Sequence, residues 1–204
     1  MDGTYVTVVP LNPARHGDAL WQSSGGAECQ ELWRYLHSGP FAERAAFDEY
    51  LHAKAASEDP MYFALVDRAT GRAAEHSSYM RIDPDQRVIE VGAILYTPVL
   101  QKTRAATEAM YLMARYAFED LGYRRYEWKC NVLNDASQRA ARRLGFSFEG
   151  VFRQHMIVKG RSRDTAWFSM LDREWPERKC EFERWLAPDN FDAAGRQKTR
   201  LCHG

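Results

Sequence analysis

The sequence has no excess of either charge, few cysteines and no long hydrophobic run, and each of these absences excludes a class of protein. Its 28 Lys and Arg residues balance 28 Asp and Glu residues, so no net charge attracts it to nucleic acid or to an anionic membrane. No apolar stretch approaches the roughly 20 residues that a membrane-spanning helix needs. The first ten residues lack the basic start and apolar core of a signal peptide. We therefore expect no nucleic-acid partner and no membrane partner.

The four cysteines show neither the density of a disulfide framework nor the spacing of a metal site. Cys29, Cys130, Cys180 and Cys202 are scattered, and no two of them form a C-x-x-C pair. Isolated thiols of this kind are typical of proteins kept in a reducing compartment. We expect a cytoplasmic protein that holds no metal ion.

Strand-like runs of β-branched and aromatic residues alternate with helix-period segments along the chain. Strands are predicted over 4–9, 61–67, 73–82, 87–96, 125–131, 146–159 and 164–171, with a turn at 160–163. Helices are predicted over 28–37 and 41–54, on either side of Gly39-Pro40, in the stretch 97–121, and over 134–143. This order predicts an α+β domain with one mixed, mostly antiparallel sheet of six to seven strands wrapped by helices.

The domain is expected to span residues 1–172. Residues 173–204 are predicted to add an amphipathic C-terminal helix and a polar tail that frays beyond Pro188. Within the fourth strand, the alternation of side chains predicts two faces. One face is expected to hold Glu90, Gly92, Ile94 and Tyr96, and the other Ile89, Val91, Ala93 and Leu95.

The segment from Thr97 to Leu121 has the features of an anion site. A strand leads into the basic and small residues QKTRAAT (101–107), and a helix follows. The first N–H groups of a helix have no internal partners, and the helix dipole adds positive charge at that end. Lys102 and Arg104 add side-chain charge at the same place. The alternative is an ordinary loop whose two basic residues are solvated.

Three motifs together carry a family resemblance. They are the segment 101–109 between a strand and a helix, the helix start Asn134-Asp135-Ala136-Ser137, and Arg143-Leu144-Gly145-Phe146 at that helix's end. With these motifs, residues 5–172 resemble the GNAT superfamily of acetyl-CoA-dependent N-acetyltransferases. Within it, the chain is most similar to the ribosomal-protein N-terminal acetyltransferases, labelled RimJ/RimL-like.

The resemblance implies that acetyl-CoA is the acyl donor and identifies its expected contacts. These are Leu95, Tyr96, Gln101, Lys102, Thr103, Arg104, Ala105, Ala106, Thr107, Asn134 and Ser137. Two positions depart from the family pattern. Arg104 stands where the family loop usually has its first glycine, and an arginine there could make a charge-assisted contact with phosphate. Ala141 stands where many members carry a tyrosine that protonates the departing thiolate.

Three residues are candidates for proton transfer. Glu90 lies on the strand before the loop. The histone-acetylating branch of the superfamily, which this chain resembles there, has a glutamate base at that place. The alternative is that Glu90 is a strand carboxylate paired with a basic neighbour. His155 is the second candidate base, since a histidine titrates near neutrality. Ser137 could protonate the thiolate, although Asn134 and Ser137 at a helix start are also ordinary caps.

The sequence therefore predicts an N-acetyltransferase that moves an acetyl group from acetyl-CoA to a primary amine by direct attack in a ternary complex. The amine could belong to a protein N-terminus or to a small molecule, and the chain could form a homodimer. The absence of the tyrosine at Ala141 leaves a second class open, a coenzyme-A-binding sensor or interaction protein without efficient turnover.

Overall fold

The computed structural model describes residues 1–201, and these residues form one sheet of seven strands. The strands, numbered β1 to β7 in chain order, are Val6–Pro10, Met61–Asp67, Ala73–Asp83, Val88–Leu95, Arg125–Asn131, Ser147–Val158 and Arg161–Leu171. Their order across the sheet is β1-β2-β3-β4-β5-β7-β6. Among these pairs only β4 and β5 run parallel. The predicted mixed, mostly antiparallel sheet is confirmed.

Five α-helices pack around this sheet in the part of the chain that the structure describes. The helices, numbered α1 to α5, are Pro13–Ser24, Arg44–Ala55, Arg104–Arg115, Asp135–Arg143 and Trp175–Leu186. A π-helical turn, Tyr116–Asp120, extends α3 towards Gly122. No helix among these residues combines the length and the apolar character that crossing a bilayer requires.

The prediction was wrong in the segment before α2. A helix was expected over 28–37, but those residues contain only the 3-10 segment Ala27–Trp33, and α1 lies earlier in the chain. Asn12 caps α1, because its Oδ1 accepts the Arg15 N–H at 3.1 Å, and Pro13 follows it. This start signal was missed because α1 carries few apolar residues and an internal glycine.

Tertiary packing determines the conformation of 27–40. The Trp33 indole is fully buried, and its Nε1 donates to the Ser24 carbonyl at 2.7 Å. Gly39 adopts φ +65°, and a Cβ there would lie 2.5 Å from the Trp33 ring. Gly39 therefore accommodates the indole and does not end a helix, and Pro40 lies in the loop before α2.

The two faces of the sheet have different coverings. The face towards α3, α4 and α5 carries the larger core, which includes Ile89, Val91, Tyr126 and Phe168. The opposite face is covered by α1 and α2 over β1 to β3, with Trp33 and Phe47 at the centre of a second core. The uncovered part of that face, over β4, β5 and β7, carries charged side chains.

The C-terminal segment belongs to the larger core. Helix α5, predicted as amphipathic, contributes Trp175, Phe182 and Trp185 to it. The residues beyond Pro188 were expected to fray, and this was wrong for the described part. Asn190 is buried and its Oδ1 accepts the Thr199 N–H at 2.9 Å, which folds the segment back. Leu201 is also buried in the larger core.

One buried carboxylate fastens the start of the chain to α3. Glu108 accepts three backbone N–H groups, from Thr4 at 2.7 Å, Tyr5 at 2.6 Å and Val6 at 2.9 Å. These are the N–H groups at the start of β1, and residues 1–201 form no strand beyond β1 that could bind them. A charged acceptor makes such bonds stronger than neutral ones. Glu108 therefore fixes β1 against the first half of α3.

We expect Glu108→Ala to destabilise the protein far more than removal of an exposed carboxylate does. The variant leaves three N–H groups without their acceptor, so the expected loss is about 3 kcal/mol, which lowers Tm by roughly 6–12 °C. Glu177→Ala on α5 is the matched control, since that side chain is 73% exposed. Thermal unfolding measures both variants, and equal Tm values would contradict the proposed role of Glu108.

Candidate active site

The parallel strands β4 and β5 separate after a short pairing. Their register runs from Val88 opposite Arg125 to Val91 opposite Trp128. Beyond this point β4 continues to Leu95 beside β3, and β5 continues to Asn131 beside β7. A gap therefore opens between the two strands towards their carboxyl ends.

A β-bulge in β4 lies at the start of this gap. Gly92 pairs with Ser78 and Leu95 with His76, so β4 has one residue more than β3 in this interval. Ala93 has φ +49°, which is unusual for a residue with a side chain. A bulge of this kind bends a strand and re-aims the groups that follow it.

The bulge shifts the side-chain alternation by one residue, so the predicted faces hold only as far as Gly92. Ala93 and Leu95 pack in the core under α1 and α2, whereas Ile94 and Tyr96 pack against the core under α3. The simple alternation predicted the reverse for these residues. The Leu95 side chain is fully buried, which leaves only its backbone available to a ligand.

The loop between β4 and α3 is folded by its own hydrogen bonds. Thr97 donates its hydroxyl to the Ala74 carbonyl at 2.7 Å, and its carbonyl accepts the Leu100 and Gln101 N–H groups. Thr103 caps α3, because its Oγ1 accepts the Ala106 N–H at 3.2 Å. Since an α-helix leaves its first N–H groups without internal partners, those of the first turn point out of the helix.

The side chains of the predicted anion loop divide into three groups. Gln101 and Lys102 are exposed. Ala105, Ala106 and Thr107 are buried, and the two alanines pack in the larger core. The small side chains therefore let α3 approach the sheet, and a ligand can reach these three positions through the backbone.

The guanidinium of Arg104 lies between two aromatic rings. Its Cζ is 4.6 Å from the ring centroids of both Tyr5 and Phe191, and its Nη1 donates to the Tyr5 hydroxyl at 3.3 Å. These contacts were not predicted. They hold the positive charge of Arg104 beside the first turn of α3.

The start of α4 lies next to β5 on the α3 side of the sheet. Asn134 is the cap, and its Oδ1 accepts the Ser137 N–H at 3.1 Å. The Ser137 hydroxyl accepts the Trp128 Nε1–H at 3.0 Å, so its own hydrogen can be donated to a second partner, and the buried Cys130 thiol lies within its reach. Ala141, at the position of the missing tyrosine, is fully buried.

Glu90 lies on the opposite side of the sheet, buried within a charged cluster. Its Oε2 is 2.9 Å from the Lys129 ammonium and 3.6 Å from the Arg81 guanidinium. Its Oε1 points along the strand, 3.4 Å from the place that a Cβ on Gly92 would take. Burial raises the pKa of Glu90, and the charge of Lys129 opposes that rise.

Lys129 is shared between two carboxylates. Its Nζ is 2.6 Å from Glu127 Oε2 as well as 2.9 Å from Glu90, and it lies 3.8 Å above the Trp167 ring. Arg125 completes the row by binding Glu127 and, through two hydrogen bonds, Glu149. The pKa of Glu149 is lowered to about 2, chiefly by Arg125.

His155 lies on the same side of the sheet as Glu90. Its Nδ1 is 3.0 Å from the Thr165 hydroxyl, and its ring contacts those of Phe152 and Trp167. Burial, then the charges of Arg163, Lys129 and Arg81, lower the pKa of His155. A neutral imidazole at neutral pH is therefore favoured.

The structure places two of the predicted residues, Ser137 and Glu90, on opposite sides of β5. Ser137 contacts Trp128 on one face of β5, and Glu90 contacts Lys129, the next residue, on the other face. Sequence analysis missed Lys129, although the alternation RYEWKCN was a usable signal for charges along one face. It also missed Arg163, because 160–163 was predicted as a turn, whereas β7 begins at Arg161.

Comparisons with known proteins identify the family. A family model described as the acetyltransferase (GNAT) domain matches residues 7–147. A GCN5-related N-acetyltransferase from Brucella melitensis superposes with a TM-score of 0.96 at 50% identity, over 98% of this chain and 90% of that one. YdaF of Bacillus subtilis, provisionally named a ribosomal N-acetyltransferase, is 36% identical over 73 residues, which are 36% of this chain and 40% of that relative.

A more distant structure shares the fold alone. A spermidine N-acetyltransferase from Vibrio cholerae, solved with CoA and spermine, has a TM-score of 0.66 at 17% identity, over 85% of this chain and 99% of that one. The family follows from the two stronger matches, the domain model over residues 7–147 and the Brucella structure at 50% identity. The chain belongs to the GNAT family of acetyltransferases and is an acyltransferase.

Proposed function

We propose that the protein transfers the acetyl group of acetyl-CoA to a primary amine by direct attack within a ternary complex. One observation carries this proposal: the gap between β4 and β5 is flanked by the first turns of α3 and α4 on one side and by Glu90 on the other. Beyond Val91, no described strand covers the β5 side of β4, so backbone groups there can bind an extended ligand.

The proposed cofactor contacts follow the gap from the thioester to the phosphates. The backbone of Leu95 and Tyr96 meets the pantetheine arm, and Asn134 and Ser137 border it at α4. The pyrophosphate lies at the N–H groups of the α3 first turn, where a helix favours an anion. The loop residues proposed here are Gln101, Lys102, Thr103, Arg104, Ala105, Ala106 and Thr107.

Glu90 is the proposed base. Acetyl-CoA supplies an activated acetyl group, and the amine must lose a proton to attack it. Oε2 of Glu90 is held by Lys129, whereas Oε1 points towards Gly92 at the bulge. Glu90 takes the amine proton, directly or through water, while the N–C bond forms and the C–S bond breaks. Backbone N–H groups at the bulge stabilise the charge that develops on the acetyl oxygen.

Ser137 is the proposed donor of a proton to the departing thiolate, since its hydroxyl hydrogen is not needed by the Trp128 indole. A thiolate of ordinary pKa leaves readily, so this step contributes less than the base. His155 stays the second candidate base. The homodimer and the cytoplasmic setting expected from the sequence stay predictions.

Acetyl-CoA binding is the first test. At a concentration a hundredfold above its Kd, acetyl-CoA should stabilise the fold by roughly 2.7 kcal/mol, which raises Tm by several degrees. Thermal shift measures this, and a comparison of CoA with dephospho-CoA, which lacks only the ribose 3′-phosphate, gives the contribution of that phosphate. No shift at millimolar acetyl-CoA would exclude both the enzyme and a sensor. A shift without thiol release across an amine panel would favour the sensor.

Arg104→Ala tests the phosphate contact. The rings of Tyr5 and Phe191 hold the guanidinium beside α3, so its loss should weaken acetyl-CoA by about tenfold, the value of one charge-assisted contact. Arg115→Ala, at the other end of α3, is the matched control and should bind normally. Equal calorimetric Kd values for the two variants would mean that backbone amides alone hold the phosphates.

Glu90→Gln tests the base. Because burial raises the pKa of Glu90, kcat/KM of the wild type should fall as the pH drops through that raised pKa, where the protonated carboxyl can no longer accept a proton. The variant should lose this acidic limb and about 10²–10⁴-fold in rate, and Ser137→Ala should lose less. Both should bind acetyl-CoA nearly as the wild type does.

The pH profiles are measured with one amine, so its own titration is common to both proteins. An acidic limb that persists unchanged in Glu90→Gln would show that Glu90 is not the titrating base, and His155 would be the next residue to replace.

A further inference from the structure

Arg163 is a buried cation without an anionic partner. It lies in β7 and is 8% exposed, and its Nη1 donates to His37 Nε2 at 3.2 Å. Its Nε–H finds no acceptor among residues 1–201, and no carboxylate in that range lies within 4 Å of it. An arginine stays charged even when burial lowers its pKa. A buried charge is normally paired, so this site lacks an anion.

A second unsatisfied donor lies on the same face of β7. The Nε1–H of Trp167 is buried and has no acceptor within the described residues. Residues 163, 165 and 167 share one face of the strand, and Thr165 between them contacts His155. Buried N–H groups are almost always hydrogen-bonded in native proteins. Two orphaned donors on one face therefore point to a ligand that accepts hydrogen bonds.

Both donors lie on the same face of the sheet as the proposed base. The Trp167 ring is under the Lys129 ammonium, which binds Glu90 at 2.9 Å. Arg163 lies within electrostatic reach of Glu90. The carboxylates of the cluster are already matched, since Glu90, Glu127 and Glu149 are bound by Arg81, Arg125 and Lys129. Arg163 is thus a buried cation of this face that no carboxylate among residues 1–201 matches.

The segment 27–37 closes over this side of the sheet. The Tyr35 hydroxyl donates to the Leu133 carbonyl at 2.9 Å, and the Lys159 ammonium donates to the Trp33 carbonyl at 2.7 Å. Together with the contact between Arg163 and His37, these bonds anchor the segment to the loop after β5, to the turn between β6 and β7, and to β7 itself. The segment therefore covers Arg163 on this side of the sheet.

We propose that Arg163, with the indole N–H of Trp167, binds a carboxylate of the acceptor, so that the substrate is a small amine with a carboxylate close to its amino group, as in an α-amino acid. This inference rests on the proposed function. A polyamine would bring a second cation towards Arg163, Lys129 and Arg81, which is unfavourable.

Matched pairs of acceptors test the inference. Each pair consists of an amino acid and the amine that remains when its carboxylate is removed: tyrosine and tyramine, histidine and histamine, or ornithine and putrescine. Thiol release should give a kcat/KM at least tenfold higher for the carboxylate-bearing member of the preferred pair. A short peptide with a free N-terminus, and spermidine, complete the panel. Equal or better rates with the decarboxylated amine, the peptide or spermidine would overturn the proposal.

Variants locate the effect at the two donors. Arg163→Gln should raise KM for the amino acid by about tenfold to a hundredfold, with kcat little changed and the decarboxylated amine unaffected. Trp167→Phe keeps the ring and removes only the donor, so it serves if Arg163→Gln fails to fold, and it should raise KM severalfold. Arg161→Gln, exposed on the same strand, is the control and should behave as the wild type.

The outcomes separate the two proposals. Absence of both an acetyl-CoA thermal shift and thiol release with every amine would overturn the proposed function. The other outcome is that the protein binds acetyl-CoA and turns over, but its preference for the carboxylate survives in both Arg163→Gln and Trp167→Phe. That result would overturn this inference alone.

Discussion

The proposed site exists because β4 and β5 separate after a short parallel pairing. Two parallel strands that pair for only four residues leave backbone groups without partners, and such groups are costly unless a ligand or water binds them. The bulge at Ala93 fixes the separation by turning β4 towards β3. Glu90 on β4 and Ser137 at the start of α4, the two residues proposed to move protons, lie on opposite sides of the sheet at the resulting gap.

The two faces of the sheet support this gap by different means. On the α3 side, small residues at Ala105 and Ala106 let the helix pack closely, and Glu108 ties the start of β1 to it. This close packing holds the first turn of α3 in place, where the pyrophosphate is proposed to bind. On the other side, the helices α1 and α2 cover only part of the sheet, and the uncovered strands carry charges.

The cations among those charges oppose the effect of burial on the pKa of Glu90. Burial alone would favour the neutral acid, but Lys129 lies between Glu90 and Glu127 and offsets the repulsion between them. One oxygen of Glu90 is thus held while the other faces the bulge. Arg163 differs from these paired groups, because it is buried on the same face and no described carboxylate matches its charge.

Periodicity, caps and local motifs depend on near neighbours along the chain, so the order of the strands, the mixed sheet, the Asn134 cap, the Thr97–Thr107 loop and the family could all be predicted from the sequence. It did not determine α1, whose start signal lacked an apolar stripe, or the segment 27–40, whose shape follows from burial of Trp33. Only the tertiary structure decided which face Leu95 and Tyr96 occupy, since a single extra residue in β4 reverses the alternation. The fold also brings Lys129 into contact with Glu90 and leaves Arg163 buried on the same face without a carboxylate partner, because such contacts join residues that are distant in sequence and meet only in the folded sheet.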